Sequence, residues 1–168
     1  MAMFVHLTSE SISESIRRTG IRRQKINVDE IGTGTYAMPV VRNFFMTHQW
    51  LRELKRGRSE TLVGVYFRIP DDQLVWVGHY SQNHRQMTAG EAIGIFEGAE
   101  DLMGWEVIVP RRIEAAEIHR IRHLPQVAGW RHYPGSNGKK PYCTCNYCIR
   151  GQFGSQKLRK RFEEQQDQ

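Results

Sequence analysis

Four short stretches hold residues whose types and spacing can do chemistry. In "MFVHLTSESISESIRRTGI" an apolar run reaches His6-Leu7-Thr8 just before a helix. Core strand positions normally carry Val or Ile, so the imidazole is either a hydrogen-bonded core group or a clamp for a ligand at the strand–helix junction. In "GTGTYAMP" a glycine-rich approach leads to Tyr36. Its glycine spacing, with no strand running directly into it, excludes a dinucleotide-binding Rossmann turn. In "GWEVIVP" a single carboxylate, Glu106, stands among apolar residues. Strand alternation puts Glu106 and Ile108 on one face and Trp105, Val107 and Val109 on the other, so the carboxylate lies either at a solvated edge or in a cleft. The fourth stretch is "CTCNYC".

Those three cysteines, Cys143, Cys145 and Cys148, offer three thiolates where structural zinc takes four ligands. His132 in "WRHYPG" is the best fourth donor, and His123 is the next. Zinc bound there would organise a segment too poor in apolar residues to fold by itself. The alternative is three reduced thiols in a packed turn. A further loop, "WVGHYSQNHRQMTAGEA", carries Trp76, His79, Tyr80 and His84 and is either a surface that stacks an unpaired base or an ordinary strand end. Trp50, Trp105 and Met38 read as core.

These residues need elements to hold them. "MFVHL" reads as a strand, and Thr8 or Ser9 caps a helix whose inner face carries Ile12 and Ile16 and which stops at Gly20. "INVDEIGTGT" reads as a loop and "YAMP" as a short extended piece. Pro39 fits the first turn of a helix to about Arg56, with Val41, Phe44, Phe45, Leu51 and Leu54 as its apolar contacts. "TLVGVYFRI" and "QLVWVGHY", joined by "PDDQ", predict a hairpin. "TAGE" from Thr88 to Glu91 is a capping box opening a helix into Phe96. "WEVIVP" and "AEIHRI" read as strands, and a short charged helix ends the chain. Strands interspersed with a few helices indicate an α+β domain.

The 168 residues suit one domain, and 39% hydrophobic with 25% charged residues suits a globular chain. No apolar run is long enough to span a bilayer and no basic-then-apolar leader is present, so the expected location is the cytoplasm. Three closely spaced cysteines make no disulfide framework. The net charge of +6, concentrated in "RRTGIRRQK", "RELKRGR" and "KLRKRF", favours a polyanionic partner such as DNA or RNA.

"HLTSESISESIRRTGI" resembles the opening of the DarT family of DNA-targeting ADP-ribosyltransferases, and more loosely the RNA 2′-phosphotransferases of the same superfamily. "WEVIVPRRIEAAEIHRI" resembles the end of the DarT-type catalytic region, and Tyr36 fills the middle slot of a His–Tyr–Glu arrangement. The likeness spans roughly Phe4 to Ile121, with its specific parts at the two ends. It implies a split mixed β-sheet with NAD⁺, as substrate, in the cleft. Residues 1–124 would be the catalytic domain and residues 125–168 a cysteine-containing extension packed on it. Glu106 and Tyr36 would be catalytic, and His6, Leu7, Thr8, Gly20, Tyr36 and Arg22 would bind NAD⁺, with Gly20 letting the backbone approach it. Arg22, Arg23 and Arg42 compete for the place of a catalytic arginine. Glu114 and Glu117, beyond Pro110, would be ordinary surface residues. The acceptor would be DNA or RNA, and the enzyme a toxin of a toxin–antitoxin or phage-defence system, controlled by an antitoxin protein. Two alternatives stand beside this reading: an RNA 2′-phosphotransferase that also consumes NAD⁺, and a non-enzymatic, basic, zinc-containing nucleic-acid-binding protein.

Overall fold

The computed structural model describes residues 1–26, 28, 31–55, 60–99 and 102–126. Along the chain come β1 (Ala2–Ser9), a 3₁₀ turn (Glu10–Ile12), α1 (Ser13–Thr19), β2 (Gln24–Lys25) and β3 (Thr33–Pro39). Two single-turn helices follow, α2 (Phe44–Thr47) and α3 (Leu51–Leu54), then β4 (Leu62–Ile69), β5 (Leu74–His79) and β6 (Arg85–Thr88). The series ends with α4 (Ala89–Gly98), β7 (Trp105–Val109), a second 3₁₀ turn (Ala115–Glu117) and β8 (Ile118–His123). This is the α+β class. The zinc candidates His132, Cys143, Cys145 and Cys148, and the expected C-terminal helix, lie outside the described residues.

The sheet has eight strands in the order β6-β5-β7-β3-β1-β4-β8, with β2 added to β3. A mixed sheet was the expectation, whereas every pairing described is antiparallel. β1 is the hub, and its residues explain why. Ala2, Phe4 and Val5 are buried, Phe4 stacks on Phe67, and a complete ladder with β4 runs from Ala2↔Ile69 to Ser9↔Leu62. Burying each large apolar side chain of this kind stabilises the fold by roughly 1.5–3 kcal/mol. On its other edge β1 meets β3 in only two pairs, Phe4↔Pro39 and Val5↔Met38. The sheet is therefore continuous on one side of β1 and barely closed on the other.

Three local expectations give way to packing. β4 and β5 do not form a hairpin, because both edges of β4 are taken by β1 and β8, while β5 pairs with β6 and β7. The turn at Pro70–Gln73 thus carries the chain from one half of the sheet to the other. Pro39 ends a strand instead of starting a helix. The helical turns start at Asn43, whose Oδ1 accepts from the N–H groups of Phe45 and Met46, and the segment breaks between His48 and Trp50. Ile16 is buried as expected, but Ile12 is 47% exposed because the chain is 3₁₀ there and turns that side chain outward.

The α2–α3 segment is pinned onto the sheet. Trp50 Nε1 donates to the Trp105 carbonyl at 2.8 Å. Gln49 accepts from Gly104 N–H and donates to the Leu102 carbonyl. His48 pairs through Nε2 with the Tyr66 hydroxyl at 2.8 Å. At its far end Lys55, fully buried, donates to Gln126 Oε1 at 2.8 Å, while the Gln126 amide bonds both backbone groups of Leu62. Among the described residues no helix is long and apolar enough to cross a membrane.

Candidate active site

The short β1–β3 ladder creates the site. Past Val5↔Met38 the two backbones no longer pair, and the His6 side chain takes the place of the missing bond. Its Nδ1 lies 2.8 Å from the Tyr36 carbonyl oxygen. A carbonyl can only accept, so Nδ1 carries the proton. Burial holds the His6 pKa below the ordinary value, the bond to Tyr36 countering only in part, so the ring is neutral near pH 7. A neutral ring protonated on Nδ1 leaves Nε2 as an acceptor. His6 does not end its strand as expected, because β1 runs on to Ser9 along β4; it is a fixed acceptor where β1 parts from β3.

Register supplies the next two groups. Tyr36 pairs with Ile108 and Gly78 pairs with Glu106, so Tyr36, Ile108 and Glu106 share one face of the sheet. His6, Leu7, Tyr36, Met38, Trp50 and Glu106 line one cavity of about 200 Å³. A neighbouring cavity of about 490 Å³ is lined by Thr8, Ser15, Thr19, Gly20, Arg22 and Thr35, and shares His6, Leu7, Gln24 and Leu54 with the first. The expected histidine, tyrosine and glutamate, far apart in sequence, therefore meet in one place, and the Leu7, Thr8, Gly20 and Arg22 candidates lie next to it. Arg23 lines neither cavity. Arg42 lies against Phe96 and Glu97 at a separate concavity.

Glu106 is the unusual group. Its side chain is only 14% exposed, and burial pushes its pKa from the ordinary 4.5 up to about 7. Its Oε1 lies 3.1 Å from Nε2 of His84, whose side chain is fully buried. Burial holds the His84 pKa below its usual value, with the Gln82 backbone countering in part. The solvated-edge reading of Glu106 is excluded by these contacts.

Other expectations are revised. Gly20 has φ +79°, and a Cβ on it would lie 2.1 Å from the Ile113 carbonyl oxygen, where Ile21 and Ile113 exchange backbone hydrogen bonds. That packing by itself demands glycine, and Gly20 also lines the neighbouring cavity. Glu117 is no ordinary surface residue: it grips Arg111 with both oxygens, at 2.6 and 2.8 Å, and accepts from Glu114 N–H. Glu114, more than half exposed, pairs with Arg112. His123 lies near Glu10 at 3.6 Å, and the described residues contain no cluster of three metal-binding side chains. Met38 is buried in the core and Trp50 and Trp105 pack against it, as expected, and Met38 and Trp50 also line the cavity.

In the aromatic loop, Tyr80 is 53% exposed with its ring edge-on to Trp50, and His79 bonds Ser81. His84 has turned inward. The sequence carried one sign of this, Gly78 inside a β-branched and aromatic strand, since such a glycine marks close approach of another backbone. No protein-family model matches the chain, nor does any curated protein or solved structure.

Proposed function

We propose that this protein is an ADP-ribosyltransferase of the His–Tyr–Glu type that moves ADP-ribose from NAD⁺ to a nucleic acid. The observation that carries the reading is the meeting of His6, Tyr36 and Glu106 in one cavity at the opening of the sheet between β1 and β3, the counterpart of a split-sheet cleft.

The residues fit NAD⁺. That substrate brings a ribose–nicotinamide bond whose cleavage builds positive charge on the ribose. A buried, ionised Glu106 stabilises that charge and accepts from a ribose hydroxyl, as carboxylates do in glycoside cleavage. His6 offers Nε2 as acceptor to a second hydroxyl, with its tautomer already fixed. Tyr36 and Trp50 give flat apolar walls for a ring and exclude water. In the adjoining cavity Thr8, Ser15, Thr19 and Arg22 offer hydroxyls and a cation suited to a pyrophosphate and a sugar.

A nucleic-acid acceptor is supported by charge. Arg120 pairs with Tyr66 and Arg122 with Gly64, which in turn pair with Val5 and Leu7 of β1. Both arginines therefore share the sheet face of Tyr36 and Glu106, and Arg68, opposite Met3, joins them. A toxin held in check by an antitoxin, with zinc in the cysteine segment, completes the reading.

The test is incubation with labelled NAD⁺ and, separately, single-stranded DNA, RNA and protein, with mass analysis of the products. ADP-ribose on a nucleic acid is the expected result. Release of ADP-ribose cyclic phosphate identifies a 2′-phosphotransferase instead. Intact NAD⁺ with salt-sensitive nucleic-acid binding leaves a binding protein.

A further inference from the structure

The His84–Glu106 pair is more than a filled space. The loop that delivers His84 lies directly against β5: a Cβ on Gly78 would stand 2.9 Å from His84 Cα and 3.0 Å from the Asn83 carbonyl oxygen. Gly78 is the register partner of Glu106, so the missing side chain makes room for an imidazole beside the carboxylate. The ring is fully buried and meets Glu106 through Nε2 at 3.1 Å. Glu106 Oε2 takes no hydrogen bond among the described residues, and Glu106 lines the cavity.

We propose that His84 is a positioning residue for Glu106: the two share a proton, the imidazole holds Oε1, and Oε2 is left to face the ligand. Above the pair's titration, neutral His84 donates Nε2–H to the carboxylate and the pair carries one negative charge. On acidification the pair takes up one proton and becomes neutral, and that single step belongs to both residues. The charge that a cationic ligand or transition state needs is then gone. Among the described residues, the other titratable groups at the cavity are His6 on β1, neutral near pH 7, and Tyr36 on β3. The α2–α3 segment contributes only Trp50 and Leu54 to its lining. Beside His84 itself lie His79, bound to Ser81, and the exposed Arg85. Among the described residues the pair is thus the group at the site whose charge changes near neutral pH, and its setting depends on His84. The kinetic consequence rests on the transferase reading; the shared proton does not.

The test has two arms. In the first, ¹⁵N NMR follows the His84 ring from pH 5 to 9 in the wild type and in Glu106→Gln. The expected wild-type ring is neutral with its proton on Nε2 at pH 8 and shows a step near pH 7, where burial places Glu106. In Glu106→Gln that step should vanish. A ring protonated on Nδ1 at pH 8, or a titration indifferent to Glu106→Gln, overturns the proposal. In the second arm, NAD⁺ turnover is measured against pH. His84→Leu should lower kcat by about tenfold or more with KM little changed, and move the acid limb up by about one pH unit, because a donor to the charged form is lost. His84→Gln, which keeps an N–H near the same place, should recover most of the rate. A folded His84→Leu protein with native kcat and pH profile also overturns the proposal. If no variant, the wild type included, consumes NAD⁺, the transferase reading fails and the NMR arm alone decides the pairing.

Discussion

Glu106→Gln should make the protein both inactive and more stable. In the native state the Glu106 pKa is pushed from 4.5 to about 7, and the group is too buried for solvent to screen the effect. The folded value lies above the unfolded one, so the carboxyl contributes its stability in full below about pH 4.5. That contribution is lost as pH rises through 7. At roughly 1.4 kcal/mol per pH unit, keeping the charged form buried at pH 8 costs about 3 kcal/mol. Glutamine has nearly the same shape, can accept from His84, and carries no charge. Its Tm at pH 8 should exceed that of the wild type by several degrees, on the order of 5–10 °C for a chain this size. At pH 4.5 the two should melt together. Turnover of NAD⁺ should fall by about a hundredfold to a thousandfold, with binding little changed. Thermal melts at the two pH values, beside turnover and calorimetry, measure all of this. A variant less stable than the wild type at pH 8 would mean instead that the bond to His84 outweighs the burial of charge. A variant transferring ADP-ribose at the native rate would remove Glu106 from the mechanism.

His6→Ala should weaken NAD⁺ binding in calorimetry while the protein stays folded; unchanged affinity would end its role as a clamp. Glu117→Gln should lower Tm by breaking the two-pronged grip on Arg111, whereas the exposed Glu114→Gln should stay within about 0.5 kcal/mol of wild type in urea denaturation. Gly20→Ala should be severely destabilised, by about 3 kcal/mol or more, because the new Cβ would meet the backbone of Ile113, Glu114 and Ala115 and no side chain that could yield. Metal analysis should find about one zinc per chain, and Cys145→Ser should lower both the zinc content and Tm.

Much of the site was legible because it sits where local patterns break. A histidine and a glutamate set in apolar strands are conflicts between residue and environment, and both lie at the cavity. The Thr88–Glu91 capping box was equally plain, since both of its bonds form within four residues. What escaped the sequence depends on contacts distant along the chain. The β4–β5 turn looks like a hairpin until β1 and β8 are known to occupy both edges of β4. The helix expected after Pro39 is divided into single turns by bonds from His48, Gln49 and Trp50 to Tyr66, Leu102, Gly104 and Trp105. His84 was visible only as one polar residue among several in a loop. Its partner lies two strands away in the chain, and only the pairing of β5 with β7 brings the two together.

The Lys55–Gln126–Leu62 set has a practical consequence for anyone shortening the chain. A cut after Leu124, at the boundary the residue pattern points to, would remove the only hydrogen-bond acceptor that the described residues give Lys55. The ammonium, whose pKa burial already lowers to about 8, would be left in the interior with no oxygen to face, and both Leu62 backbone groups would lose their partner. Expression trials should therefore keep Gln126 in every truncated form. A fragment ending two residues earlier would report on a damaged anchor beneath the wall of the cavity, whatever it seemed to say about the cysteine segment.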